Sequence, residues 1–168
     1  DLVRPHIAGW YETGELPARE LAAQFGETGL LGMHLDGYGC AGASTVAYGL
    51  ACLGLEAADS GIRSLVSVQG SLAMFPIWKY GSDEQKDRWL HGILYADEHR
   101  CQGFSEPEAG SDLATLRLSA IRDGADYVLD GQKIWITTAH IAKWGLFLVR
   151  TDPTAMERGA KHDGITAL

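Results

Sequence analysis

The spacing of apolar residues changes character near residue 100, and this change constrains the fold more than any other feature. Before it, the apolar positions follow helical periods; after it, they alternate as in strands. Pro17 suits the first turn of a helix. Leu21, Phe25 and the Leu30–Leu31 pair then form a helical face that Gly29 and Gly32 end. Ser44 is placed to cap a helix over 45–59, apolar almost all round and so expected to be buried in a bundle. Asp59-Ser60-Gly61 breaks or kinks it. A second apolar run extends from Ile62 to Met74, and Pro76 limits its continuation. Ser82 and Gln85 have capping-box spacing, which predicts a short amphipathic helix through Trp89 and Leu90.

Beyond Cys101, Leu116, Leu118 and Ala120 alternate with Arg117, Ser119 and Ile121. Asp123-Gly124 signals a turn, Tyr127 to Leu129 a strand, and Asp130-Gly131 another turn. Gln132 to Thr137 and Gly145 to Arg150 read as further strands. Short strands joined by Asp-Gly turns predict an antiparallel meander. The expected fold class is α+β: an N-terminal α-helical bundle over residues 1–100, then part of an antiparallel β-domain over residues 101–168, with the boundary near Glu98–Cys101. The chain starts at Asp1 without a methionine and stops at Leu168 in a strand-like run, so both ends read as cut.

Composition removes several function classes. A net charge of −8 argues against general nucleic-acid binding, which needs a basic footprint. A local arginine can still serve a small anionic substrate. Three cysteines at wide spacings, Cys40, Cys52 and Cys101, give neither a disulfide framework nor a zinc pattern. The six histidines lack metal-ligand spacing. There is no run of apolar residues long enough for a membrane span and no signal pattern at the start.

The segment Gln102 to Asp112, QGFSEPEAGSD, is a tight loop: Pro107 fixes one turn, Gly110 frees another, and Ser105 and Ser111 flank it with hydroxyls. On loop chemistry alone it is first a β-turn with capping serines. Such a loop can also aim N–H groups and hydroxyls at an anion or a heteroaromatic edge. Arg63 lies among apolar and small residues, where a guanidinium needs a partner. Glu56, seven residues earlier, either forms an internal salt bridge with it or holds it as a fork for a substrate carboxylate.

The loop resembles the Glu-Pro-x-x-Gly-Ser-Asp motif of acyl-CoA dehydrogenases, with Ser105 where a threonine is more usual. Tyr80 to Lys86, Tyr127 to Gly131 with Lys133-Ile134-Trp135-Ile136-Thr137, and Gly164 to Ala167 resemble further motifs of that family in the same order. Gly37 to Gly42, and Asp59 to Ser64 with Ser67-Val68-Gln69, look most like the glutaryl-CoA dehydrogenase branch. The resemblance implies an FAD cofactor lying between the two domains and contacted by Gln102, Phe104, Ser105, Gly110, Ser111, Trp135, Ile136 and Thr137. Ser105 would bond the ring edge, Trp135 would pack against the ring, and Thr137 would reach toward N5. Glu56, Arg63, Ser64 and Ser111 are the implied substrate contacts.

The implied reaction is α,β-dehydrogenation of an acyl-CoA thioester. In the glutaryl branch it is followed by decarboxylation to crotonyl-CoA. Other acyl groups, an oxidase, or a non-catalytic thioester-binding relative are the alternatives. The family's glutamate base is expected beyond Leu168, in an absent C-terminal helical domain, so this piece alone is expected to be inactive and to hold FAD poorly. The resemblance further implies an electron-transfer flavoprotein as acceptor, a dimer or tetramer at full length, a role in fatty acid and amino acid degradation, and a cytoplasmic (bacterial) or mitochondrial-matrix (eukaryotic) location.

Overall fold

Helix signals in the first hundred residues translate into a set of short helices. The computed structural model describes residues 2–168. The first elements are α1 (Ile7–Thr13), α2 (Ala18–Glu27), α3 (Thr45–Glu56) and α4 (Ser60–Ser67). A π-helical stretch follows at Val68–Met74, then α5 (Phe75–Tyr80) and α6 (Asp83–Leu94). Pro17 sits one position ahead of α2, which buries Leu21, Ala22, Phe25 and Gly26. Asp59 caps α4 by accepting from Ile62 N at 3.0 Å. α6 starts with the expected capping box, Ser82 and Gln85 exchanging bonds of 3.3 and 2.9 Å.

Two expectations for these helices need correcting. Pro76 does not limit the second apolar run, because the coil passes through it and ends at Tyr80. The wider π register immediately before α5 accommodates the proline ring and its missing N–H. At the centre of that stretch, a Cβ on Gly70 would sit 2.8 Å from Gly32 N, so a side chain would separate the two backbones. The second correction concerns α3, which is not buried on any of its residues. Val46, Leu50 and Leu53 are 70%, 64% and 66% exposed. Apolar character all round a helix states what it can bury, not how many neighbours this chain supplies.

The remaining elements are β1 (Arg100–Gly103), a 3₁₀ turn at Leu113–Thr115, β2 (Ser119–Asp123), β3 (Asp126–Asp130), β4 (Trp144–Arg150), α7 (Thr154–Glu157) and β5 (Ile165–Ala167). β2 and β3 form the expected antiparallel hairpin, from Ser119↔Asp130 to Asp123↔Asp126 around Gly124. The sheet is mixed rather than a meander: its order is β1-β4-β2-β3, and β5 also pairs with β4. β4 joins β2 in parallel at Ser119↔Arg150 and β5 antiparallel at Val149↔Thr166. Gln132 to Thr137 forms no strand. Trp135 (φ 57) and Thr138 (φ 62) are left-handed, which breaks an extended run.

The fold resolves into two compact units, the residues up to Arg100 and Cys101–Leu168. The helical unit is built on one core that includes Phe25, Leu31, Leu35, Ile62, Val66, Met74, Leu90, Ile93 and Leu94. The β unit has a small core of Leu118, Ala120 and Val149, with Phe147 packed against it.

Candidate functional site

Two groups of polar residues stand out, one in each unit. In the β unit, the Ser105 arm and the Trp135 arm are tied together. Glu106 and Ala109 exchange backbone bonds of 2.9 and 3.1 Å, closing the turn that Pro107 preforms. Ile134 N donates to Ser105 O at 2.9 Å, and Lys133 Nζ donates to Phe104 O at 2.9 Å. Gly103 permits this approach: a Cβ there would overlap the Phe147 ring and lie 3.2 Å from Lys133 Cγ.

Glu106, which the sequence offers only as a turn residue, is the centre of this arrangement. Its carboxylate accepts from Arg117 N at 2.6 Å, Leu118 N at 2.9 Å and Lys133 Nζ at 2.9 Å. Burial pushes its pKa up, but Lys133 and the two N–H groups outweigh that and hold it below the ordinary glutamate value. The Glu-x26-Lys separation is visible in the sequence, yet nothing local marks it as a contact.

The arms present chemistry outward. The Trp135 ring is 87% exposed, and its left-handed backbone turns it away from any strand face. Ser105 is half-buried, and Thr137 and Ser111 are exposed. None of these three hydroxyls takes a protein partner among the described residues. Gln102, Phe104 and Ile136 are half-buried, and Gly110 is exposed. Ser111 caps no strand, because it precedes the 3₁₀ turn. A flat exposed indole beside open hydroxyls and backbone groups fits a heteroaromatic cofactor, which needs both stacking and edge hydrogen bonds.

In the helical unit, α3 and the α4–π coil face each other along a polar seam. Arg63 Nε donates to Glu56 Oε2 at 2.7 Å, and Nη1 donates to Ser67 Oγ at 3.2 Å. Ser60 Oγ holds the other Glu56 oxygen at 2.6 Å. Hydrogen bonds from Arg63 and then Ser60 lower the Glu56 pKa, so it stays a carboxylate. Further along, Tyr48 Oη and Ser71 Oγ meet at 2.7 Å. The expected Glu56–Arg63 pair is therefore present, with both side chains partly open at 42% and 36%. Nη2 has no partner among the described residues. Ser64 is half-buried on the same turn. Ser67 and the Tyr48–Ser71 pair were not singled out from sequence as part of this seam. Their signal is the repeat of four: 48, 52 and 56 on one helix, 63, 67 and 71 on the other.

A helical unit with a carboxylate-held arginine, followed by a β unit with paired loops, matches two known domains in order. Residues 1–97 match the acyl-CoA dehydrogenase N-terminal domain and residues 101–168 the middle domain. The chain belongs to the acyl-CoA dehydrogenase family. It is 39% identical over 165 residues to the acyl-CoA dehydrogenase FadE34 of Mycobacterium tuberculosis, covering 98% of this chain and 22% of that one. A glutaryl-CoA dehydrogenase from Mycobacterium smegmatis shares 61% identity at a TM-score of 0.86, over 89% of this chain and 39% of its own. A second glutaryl-CoA dehydrogenase from that organism, solved with FADH2, shares 52% identity at a TM-score of 0.85, over 89% of this chain and 38% of its own. The chain thus spans well under half of these relatives. Among the described residues, no helix is long and apolar enough to cross a membrane, and no group of side chains could hold a metal ion.

Proposed function

We propose that the whole protein is an FAD-dependent acyl-CoA dehydrogenase whose substrate is a dicarboxylyl thioester, glutaryl-CoA, with loss of the distal carboxylate as CO2 and formation of crotonyl-CoA. The observation that carries this reading is Arg63, anchored through Nε and Nη1 while Nη2 is open. With Nε on Glu56 and Nη1 on Ser67, the guanidinium is held in place and Nη2 is left to donate to a carboxylate at little cost in side-chain freedom. Likeness to the two glutaryl-CoA dehydrogenases supports the same substrate class.

Each residue then has a part. Glu56 orients Arg63, and Ser64 and Ser67 line the carboxylate end. Ser105, the backbone of Gln102 to Phe104, Trp135, Ile136 and Thr137 would hold the flavin, the hydroxyls and backbone groups by hydrogen bonds and the indole by its flat apolar surface. Gly110 lets the loop approach closely, and Ser111 meets the CoA portion. FAD, when bound, accepts the hydride from Cβ. The Cα proton needs a carboxylate base, and Glu106 is unsuited to it, being engaged by one ammonium and two N–H groups. By likeness to the family we assign that base to a part of the protein outside residues 1–168, and these residues alone are expected not to turn over substrate. An electron-transfer flavoprotein is the proposed acceptor, and the full-length protein is a homo-oligomer.

The test is turnover of the full-length protein with glutaryl-CoA and butyryl-CoA, following CO2. Arg63→Ala is expected to lower kcat/KM for glutaryl-CoA by about 10- to 100-fold and leave butyryl-CoA nearly unchanged. An unchanged preference sinks the carboxylate clamp.

A further inference from the structure

The β unit contains a buried ion pair that the roles above do not use. Glu106 and Lys133 side chains are 8% and 2% exposed and meet at 2.9 Å. Withdrawing two charges from water is costly, and a matched apolar pair is often at least as stable. A buried pair is retained with advantage where it fixes one conformation over its alternatives. Here it joins three stretches of chain. Lys133 also holds Phe104 O, and Glu106 also holds the N–H groups of Arg117 and Leu118. Two residues beyond Lys133 lies Trp135, with its left-handed backbone (φ 57). A bulky residue keeps such a conformation only where its surroundings over-determine it. The bond from Ile134 N to Ser105 O fixes one point of the register between the two arms. The ion pair fixes a second.

We propose that Glu106 and Lys133 are a positioning pair for the cofactor, setting the separation between the Ser105 hydroxyl and the Trp135–Thr137 arm and keeping Trp135 turned outward. The pair touches no cofactor itself and acts through Ser105 and Trp135. This rests on the FAD-binding reading given above.

The experiment uses the full-length protein with Glu106→Gln and Lys133→Met made singly and together. Each variant is expected to keep its far-ultraviolet circular dichroism. The dissociation constant for FAD is expected to rise by about tenfold, since residues coupled in one network interact on that scale. The flavin absorption bands should move toward those of free FAD, while KM for the acyl-CoA changes little. Because the two residues act as one unit, the double variant should be no worse than the poorer single one. Folded variants with wild-type FAD affinity and spectrum overturn the proposal. Should the single variants fail to fold, Glu106→Asp, which keeps the charge but shortens the arm, is read the same way. Loss of fold there too assigns the pair to stability alone and also overturns the proposal. A wild-type protein that neither carries nor takes up FAD overturns the underlying reading itself, whereas a flavin-loaded wild type with equally loaded variants removes only the positioning pair.

Discussion

Buried polar side chains in both units are directed mainly at backbone groups. The Gln69 amide donates to Arg100 O at 2.7 Å and accepts from Arg100 N at 3.1 Å, imitating a strand partner. Arg150, 3% exposed, does more. Its Nη1 donates to Lys161 O and Asp163 O, and its Nη2 to Ala114 O and Leu116 O, at 2.6 to 3.3 Å. A single guanidinium therefore satisfies four carbonyls from two loops that pass the end of β4. An ammonium cannot reproduce that fork. Arg150→Lys is expected to lower the stability of the full-length protein by about 3 kcal/mol, through carbonyls left without donors. Urea denaturation would show this as a lower midpoint at unchanged slope. A midpoint within experimental error of wild type would remove Arg150 from its structural role. From sequence, Arg150 is only the last residue of a strand, because its four partners lie far off in the chain.

At the scale of elements, local chemistry carried over and distant pairing did not. The capping box at Ser82, the Ser44 cap and the Gly124 hairpin each involve residues within a few positions, and the sequence alone identified all three. Ser82→Ala should cost about 1 kcal/mol, since it leaves Gln85 N without its acceptor at the start of α6. Thermal unfolding measures this, with Ser82→Asp, another capping residue, as the control that should restore most of the loss. Equal stabilities for the two variants would show that the cap contributes nothing.

The misplaced elements share a different cause. A parallel pairing of β2 with β4 needs a long crossover, so no turn signal announces it. Gln132 to Thr137 has strand-like composition, but its hydrogen bonds go to the Ser105 loop instead of a ladder. The candidate site was legible to the same extent. Hydroxyls, indole and guanidinium could be named from motifs. The Glu106–Lys133 pair that joins the two loops could not, because it depends on a tertiary contact across 27 positions.

At the scale of the whole molecule, the telling feature is apolar surface without a partner. Val46, Leu50 and Leu53 follow the i, i+4, i+7 spacing of one helical face, and all three are mostly open to water. On the β2–β3 hairpin, Ile121 and Val128 face each other across the strands and are exposed as well. Fully covering one such aliphatic side chain is worth about 1.5–3 kcal/mol. Three on a continuous stripe can therefore drive association even after the entropy of binding is counted, and contiguous exposed patches of this kind mark contact surfaces. The 168-residue chain by itself is accordingly expected to self-associate as its concentration rises, with α3 in the contact. Leu50→Glu with Leu53→Glu should shift sedimentation velocity profiles toward monomer. It should leave the unfolding temperature close to wild type, because neither residue belongs to the helical core. A wild-type chain that stays monomeric across the concentration range would show that the stripe is tolerated in water. A double variant that unfolds instead would place these residues in the core after all.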